Sequence, residues 1–166
     1  MLDLIRGAAL IAATLTTGLV AGLFYAYSMS VMPGLGKSAD RTFVEAMQRI
    51  NVAILNGWFA IGFGGALVFT ALAAALHLGG ARSVLLWTVA ALVLYVAVLA
   101  ITFRFNVPLN NELVAAGEID KIPDLAAVRE RFEAAWVRWN VVRTVVNTAA
   151  FGCLTWALVL FGRAGT

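Results

Sequence analysis

The sequence predicts an all-α fold, a transmembrane four-helix bundle with amphipathic interfacial helical extensions. Of the 166 residues, 62% are hydrophobic and 13% are charged, whereas soluble domains are about half apolar and about a quarter charged. Four stretches are apolar over the roughly 20 residues that a helix needs to cross a bilayer. Unpaired backbone polar groups are costly in lipid, so helices are the spanning structures expected in so short a chain. These observations predict a multi-pass protein of the cell membrane.

The four predicted spans belong to one integral membrane domain, residues 1–166, and cover about residues 4–32, 52–76, 84–105 and 140–161. Pro33 is expected to end the first span and Pro108 the third, because proline removes a hydrogen bond from the helix ladder. The apolar run after Arg6 continues as far as Val31, well beyond the core of a secretory signal. A retained span is therefore favoured over a cleaved signal peptide.

Two connections between spans are predicted to be amphipathic helices. After Ser38, the apolar residues Phe43, Met47 and Ile50 recur at helical spacing, and this helix is expected to run into the second span. The segment 124–138 has the same spacing with a charged opposite side, so it is expected to extend the fourth span. Both segments are expected at the membrane interface or beyond it.

The composition also argues against several classes of function. The net charge of +3 comes from basic residues scattered among acidic ones, which argues against a nucleic-acid partner. His77 is the only histidine and Cys153 the only cysteine, so a bis-histidine haem site and a Cys/His metal site are excluded. No phosphate-binding loop or dinucleotide motif is present. No span carries the charged ladder of a proton pathway, which disfavours transport. We expect neither a metal nor a cofactor.

Polar and aromatic residues gather at one end of the predicted bundle. The face that opens the fourth span consists of Trp136, Asn140, Arg143 and Asn147, each about one helical turn from the next. Counting the crossings brings further polar or aromatic residues to the same end, namely Tyr25, Arg49, Asn51, Asn106, Asn110 and Trp139. Polar groups in spans usually face the bundle interior or a cavity, so this pattern predicts a pocket. Arg143, Asn110 and Asn51 are then expected within hydrogen-bond reach, directly or through water.

Each of these residues also has a purely structural interpretation, which stays open. Tryptophan and tyrosine anchor membrane interfaces, arginine near a helix end reaches to lipid phosphates, and asparagine caps helices. Arg143 is the exception, because it lies inside the fourth predicted span and needs an acceptor. The joint occurrence of polar groups on several spans is what favours the pocket.

Three motifs occur in order along the chain: Met47-Gln48-Arg49-Ile50-Asn51, Asn106-Val107-Pro108-Leu109-Asn110 and Trp136-x-x-Trp139-Asn140-x-x-Arg143-Thr144. Together with the end of the first span, from Phe24-Tyr25 to Met32-Pro33-Gly34, they resemble the anthrone oxygenase-like family of small four-span membrane proteins. The resemblance covers nearly the whole chain. It implies an oxidoreductase that converts polyketide anthrones to anthraquinones with O2 and without a cofactor.

The resemblance also implies roles for individual residues. The catalytic candidates are Arg143, Arg49 and Asn140, and the two arginines would stabilise an enolate or a peroxide anion. The substrate-binding candidates, which would stack on a flat aromatic substrate or orient its oxygens, are Tyr25, Asn51, Asn106, Asn110, Trp136 and Trp139. Because this end has no histidine, the base is either Glu112 or Glu133, or the substrate arrives as its anion.

A non-enzymatic interpretation is the alternative. A small membrane protein of this composition could bind a lipophilic or quinone-like ligand, or a protein partner, without chemistry. In either interpretation the lipid bilayer surrounds the chain, and association with a second copy of the chain stays open. The enzyme additionally requires a hydrophobic aromatic small molecule and O2.

Overall fold

The computed structural model describes residues 1–164, which form seven α-helices and no strand. The helices are α1 Leu2–Ala26, α2 Met32–Leu35, α3 Asp40–Ala53, α4 Gly57–Leu76, α5 Arg82–Ile101, α6 Val107–Ala115 and α7 Leu125–Ala164. Two π-helical turns, Tyr27–Val31 and Thr102–Asn106, join α1 to α2 and α5 to α6, and a 3-10 helix covers Ile119–Lys121. The predicted all-α class is confirmed.

Four helical runs are long and apolar enough to cross a membrane: Leu2–Leu35, Gly57–Leu76, Arg82–Ala115 and Leu125–Ala164. By length and composition the chain is therefore a multi-pass membrane protein, as predicted. Large apolar side chains such as Leu15, Leu19 and Val93 are exposed along these runs, as expected of surfaces that face lipid.

Pro33 and Pro108 do not end their helices, so these two predictions are wrong. Each proline lies in the first turn of a short α-helix that directly follows a π-helical turn. In the first turn of a helix, the missing N–H of proline costs little, and the π turn relaxes the regular hydrogen-bond ladder just before it. The first and third helical runs consequently reach 34 residues each, about 50 Å, and exceed the roughly 30 Å of hydrocarbon.

The second span begins later than predicted. The amphipathic helix α3 ends at Ala53, and α4 starts only at Gly57. Between them the Asn56 side chain donates from Nδ2 to the Ala53 carbonyl at 2.8 Å, which satisfies one of the carbonyls that a helix end leaves unpaired. The prediction that α3 runs directly into the second span is therefore wrong.

The chain divides into two compact units. The first, called here the apolar unit, comprises Met1–Gly22, Gly57–Val98 and the chain from Val145 onward. Its core brings together small and aliphatic side chains from all four spanning runs, including Leu10, Ala73, Val84 and Ala157. The close contact between α1 and α7 depends on Gly18, because a Cβ there would lie 2.8 Å from the Phe151 ring.

The second unit, called here the polar unit, comprises Leu23–Asn56 and Leu99–Thr144. Its core contains eight buried side chains, namely Met32, Phe43, Val44, Met47, Leu113, Val128, Phe132 and Trp136. Gln48 ties α3 to the end of α6 by donating from Nε2 to the carbonyls of Leu113 at 2.9 Å and Gly117 at 3.1 Å. Gly117 has φ of 88°, a left-handed conformation that glycine adopts without strain.

An exposed ion pair also connects α3 to the 3-10 helix that follows α6. Arg41 donates from Nη2 to the Asp120 carboxylate. This hydrogen bond raises the pKa of the Arg41 guanidinium above its ordinary value. All the residues of the candidate site, except Asn147, belong to the polar unit.

Candidate functional site

The site begins with the face of α7 that the sequence singles out. Trp136, Asn140, Arg143 and Asn147 are 5%, 1%, 6% and 0% exposed. The first three belong to the polar unit, whereas Asn147 belongs to the apolar unit, where its Nδ2 donates to the Thr17 carbonyl at 3.4 Å. The polar cluster that can act as one site is therefore built around Asn140 and Arg143.

Arg143 is enclosed by polar and aromatic groups from three helical runs. Its Nη2 donates to Oδ1 of Asn140 at 2.9 Å, and its Nη1 donates to Oγ1 of Thr102 at 3.4 Å. Its Cζ lies 4.3 Å from the centre of the Phe24 ring and 5.6 Å from the centre of a Trp136 ring. Aromatic faces attract a cation, but they do not neutralise its charge.

Among the described residues, the charge of Arg143 has no partner of opposite sign. Across residues 1–164, no carboxylate forms an ion pair with this guanidinium. Its Nε is buried and has no hydrogen-bond partner in this part of the chain. A buried charge without a counter-charge costs several kcal/mol, and a guanidinium with donors to spare is well suited to an anion. The arrangement can thus bind a negatively charged oxygen.

Asn140 connects Arg143 to the first helical run. Its Nδ2 donates to the Phe24 carbonyl at 3.1 Å and to Oγ of Ser28 at 2.9 Å. Ser28 Oγ in turn lies 3.0 Å from Oγ1 of Thr144. The amide is therefore bonded at both ends, with its oxygen towards Arg143 and its nitrogen towards the first run.

Both π-helical turns supply residues to this cluster. Ser28 lies in the turn Tyr27–Val31, and Thr102 opens the turn Thr102–Asn106. Such turns are rare, and they occur frequently at functional sites. One of these turns contacts Asn140 and the other contacts Arg143, which is an independent indication that the local backbone serves the site.

A second group of predicted residues packs beside the arginine. Trp136 donates from Nε1 to Oδ1 of Asn110 at 2.8 Å, and Asn106 donates from Nδ2 to the Trp136 carbonyl at 3.4 Å. Asn106 is 1% exposed, and its Oδ1 has no partner among the described residues. Around Trp136, the structure thus offers a buried acceptor in addition to the buried donor of Arg143.

Several predicted site residues are not brought into this cluster. Arg49 is exposed and pairs with Glu45 at 2.7 Å on its own helix. Tyr25 is 57% exposed. Trp139 stacks on Phe105, with ring centres 3.6 Å apart, and makes no described contact with Arg143.

The expected hydrogen bonds among Arg143, Asn110 and Asn51 are also not direct ones. Arg143 bonds to Asn140 and Thr102, and Asn110 bonds to Trp136. Asn51 has a buried Nδ2 without a partner in the described part of the chain. The side chain of Arg143 nevertheless points into the protein, so the alternative in which it reaches out to lipid headgroups is not what the structure shows.

Three contributors to the cluster are not among the site residues predicted from the sequence. Thr102 had no distinguishing signal, because threonine is ordinary in apolar helices, and Phe24 was noted only as part of the family resemblance at the end of the first span. Ser28 was visible only as a polar residue near the end of the first span. The useful signal is positional: Ser28 lies five residues before Pro33, and Thr102 lies six before Pro108, in the turns that those prolines follow.

The two candidate bases lie in different surroundings. Glu133 accepts from Nε of Arg129 at 2.6 Å and is therefore already engaged. Glu112 lies on the wall of a cavity of about 390 Å³ in the polar unit. The other wall residues are Leu109, Leu113, Ala115, Ala116, Val128, Arg131 and Phe132. Within residues 1–164, no three His, Cys, Asp or Glu side chains come together as metal ligands.

Comparison with known families shows to which family the chain belongs. The model of the anthrone oxygenase family matches residues 56–153, more than half of the chain. The chain belongs to the anthrone oxygenase family. Comparisons with curated proteins and with solved structures give no match.

The anthrone oxygenase match covers only part of the site. It includes Asn106, Asn110, Trp136, Trp139, Asn140 and Arg143. It leaves out α1, with Phe24, the π-helical turn that holds Ser28, and α3, with Arg49 and Asn51. The arginine and its amide partner are thus inside the family region, whereas the groups that hold the amide nitrogen are outside it.

Proposed function

We propose that this protein is a cell-membrane oxygenase that oxidises an anthrone, or a related acidic aromatic polyketide, with O2 and without a cofactor. The observation that carries the proposal is the buried Arg143 guanidinium, which has no carboxylate partner among the described residues. A substrate anion would supply the missing negative charge. Family membership agrees with this substrate class.

The chemistry requires little more than a stabilised anion and access for O2. An anthrone carries an acidic methylene group between two aryl rings, and loss of one proton gives an electron-rich enolate. The enolate passes an electron to O2, and recombination at the same carbon gives a peroxide anion. The peroxide anion takes up a proton to give the hydroperoxide, which loses its remaining C–H proton as the O–O bond breaks, giving the ketone and hydroxide. One oxygen atom enters the anthraquinone, and the other leaves as water.

Arg143 is the residue that would act on these anions. Its guanidinium would stabilise first the enolate oxygen and then the peroxide, by charge-assisted hydrogen bonds in a water-poor setting. Phe24 and Trp136, whose rings already flank Arg143, offer flat apolar surface to the ring system of the substrate. Oδ1 of Asn106 has no partner among the described residues. It would accept a hydrogen bond from a phenol hydroxyl of the substrate.

The proposal assigns no protein base. Glu133 is held by Arg129, and no described carboxylate oxygen lies within ion-pair distance of Arg143. We propose instead that the substrate binds as its anion, because the buried cation lowers the substrate's own pKa. Water at the membrane interface accepts the proton.

The test is oxygen consumption by the purified protein in detergent with emodin anthrone as substrate. Three proteins are compared: the wild type, Arg143→Ala, and Arg138→Ala as a control that removes an exposed cation from the same helix. We expect rapid uptake by the wild type and the control, and a large loss in Arg143→Ala. Equal rates in all three, no faster than without protein, would contradict the proposal.

A second candidate function is favoured by the cavity on whose wall Glu112 lies. Its wall is largely aliphatic and aromatic, which suits a lipophilic or quinone-like ligand bound without chemistry. The same assay separates the two functions. Binding of a hydroxyanthraquinone without any protein-dependent oxygen uptake from emodin anthrone would favour the binding protein.

A further inference from the structure

The orientation of Arg143 depends on a part of the first helical run that lies outside the family match. We propose that Ser28, together with the Phe24 carbonyl, is a positioning residue that fixes the Asn140 amide and, through it, the Arg143 guanidinium. This inference rests on the proposed function, in which the positioned guanidinium binds the substrate anion.

The hydrogen-bonding partners of Asn140 permit only one orientation of its amide. A guanidinium only donates and a backbone carbonyl only accepts. Arg143 Nη2 therefore requires the amide oxygen, at 2.9 Å, and the Phe24 carbonyl requires the amide nitrogen, at 3.1 Å. Rotating the amide by 180° would set donor against donor on one side and acceptor against acceptor on the other. Each mismatch of this kind would leave a buried polar group without a partner, which is unfavourable.

Ser28 accepts the second amide hydrogen. Its Oγ lies 2.9 Å from Asn140 Nδ2, 3.1 Å from the Phe24 carbonyl and 3.0 Å from Thr144 Oγ1. Thr144 donates its hydroxyl hydrogen to the main-chain carbonyl of Asn140 at 2.8 Å. Ser28 therefore donates its own hydrogen to Thr144 Oγ1 or to the main-chain carbonyl of Phe24. A lone pair of Ser28 is then left for Asn140, and both amide hydrogens are held.

The backbone places Ser28 where this bond can form. Ser28 lies in the π-helical turn Tyr27–Val31, which holds one residue more per turn than an α-helix and so rotates the next residues about the helix axis. Thr102, which accepts a hydrogen bond from Arg143, opens the second π-helical turn. One irregular turn thus holds the amide of Asn140, and the other contacts the arginine.

A hydroxyl elsewhere on α1 provides a matched control. Thr14 is buried like the site residues, and its Oγ1 donates to the Leu10 carbonyl at 2.7 Å within its own helix. Removing the Thr14 hydroxyl deletes the same kind of group without touching Asn140. A general packing effect would appear in both variants, whereas a positioning effect would appear only in Ser28→Ala.

The experiment measures the arginine directly. Protein labelled with nitrogen-15 in arginine is studied by NMR in detergent, and Arg143→Lys identifies the Arg143 signals. We expect separate Nη signals in the wild type, because two fixed acceptors hinder rotation of the guanidinium. The signals should merge in Ser28→Ala, stay separate in Thr14→Ala, and separate again in Ser28→Thr, which restores the hydroxyl.

Asn140→Ala provides a second route to the same answer. It removes the fixed acceptor itself, so the Arg143 signals should merge there as well. Separate signals in Asn140→Ala, or in a folded Ser28→Ala, would overturn the proposal.

Turnover then distinguishes this inference from the proposed function. Ser28→Ala should lower kcat for emodin anthrone about tenfold, because the guanidinium is correctly placed less of the time, and should change KM less than twofold. Ser28→Thr should recover most of kcat. If the NMR results are as expected but the wild type consumes no oxygen, positioning stands and the proposed function fails. If the wild type is active and the signals do not respond to Ser28, the positioning role fails alone.

Discussion

Two arginines on α7 have opposite surroundings. Arg129 donates to two carboxylates and two backbone carbonyls at 2.6–2.9 Å, namely those of Asp40, Glu133, Gly36 and Ser38. Its Cζ also lies 4.7 Å from the centre of the Phe43 ring. Arg143 donates to one amide oxygen at 2.9 Å and one hydroxyl at 3.4 Å, and it lies against two aromatic rings. Among the described residues it contacts no carboxylate.

The difference indicates what each arginine does. Arg129 links residues 36–40 to the start of α7, and its charge is balanced by two carboxylates. These contacts explain the residue as a structural one. Arg143 is more deeply buried but less well satisfied, an arrangement that costs stability. Such a cost is characteristic of residues that bind or react. A charged group with an incomplete set of partners is thus more informative about function than one with a complete set.

The largest expected effect comes from Arg143→Met, which keeps much of the length of the side chain and removes its charge. Oxygen consumption with emodin anthrone should fall about 100-fold or more, as when a transition-state charge stabiliser is removed. The thermal unfolding midpoint in detergent should stay the same or rise, because an unbalanced buried charge is lost. A loss in rate below threefold would contradict the functional role of Arg143.

The pH dependence should follow the substrate and not a carboxylate of the protein. Glu133 is bound to Arg129, and the proposal assigns no protein base, so the anion is expected to come from ionisation of the substrate. The kcat/KM should therefore rise with pH, about tenfold per unit below the pKa of the substrate, and then level off. Rates measured with two anthrones of different acidity should show correspondingly shifted curves. Curves that coincide would point to a protein base.

Arg129→Met should have the reverse pattern from Arg143→Met. It removes several charge-assisted hydrogen bonds and leaves Asp40 and Glu133 without their cation, so unfolding should become easier by about 2–3 kcal/mol. Activity per folded molecule should be retained, since Arg129 makes no described contact with the Asn140–Arg143 cluster. Thermal unfolding and oxygen uptake, measured on the same samples, test the loss of stability and the retained activity. Unchanged stability with lost activity would reverse the assignment of the two arginines.

The smallest effect is expected from Arg49→Ala. The sequence grouped Arg49 with Arg143, but its side chain is exposed and paired with Glu45 within α3. Exposed pairs of this kind contribute about 0.3–0.5 kcal/mol, and oxygen consumption should change less than threefold. A large loss of activity would restore the sequence-based role of Arg49.

The fold was largely predictable from the sequence, because the positions of apolar runs and their lengths determine the spans. The path through Pro33 and Pro108 was not, since a proline ends a helix in one context and opens the next helical turn in another. The start of α4 was missed for a similar reason: the break at residues 54–56 depends on the Asn56 side chain bonding to the Ala53 carbonyl.

Within the site, residues on a single helix were easier to predict than residues on different helices. Asn140 and Arg143 lie one turn apart on α7, so helical periodicity alone places them together. Arg49 requires the rotation of α3 about its own axis, which depends on tertiary packing and has no local signal. Ser28 and Thr102 require the irregular π turns, which periodicity cannot reveal. The sequence therefore located the arginine but not the groups that hold it.

The most direct measurement of the central claim is the ionisation of a bound ligand. Emodin changes its visible absorption when a phenol group ionises, so a pH titration of emodin bound to the protein reports the ligand's own pKa. If Arg143 binds an anion, bound emodin should ionise at lower pH than free emodin in the wild type and in Arg138→Ala, and the shift should disappear in Arg143→Met. The same ionisation curve for bound emodin in the wild type and in Arg143→Met would contradict the account.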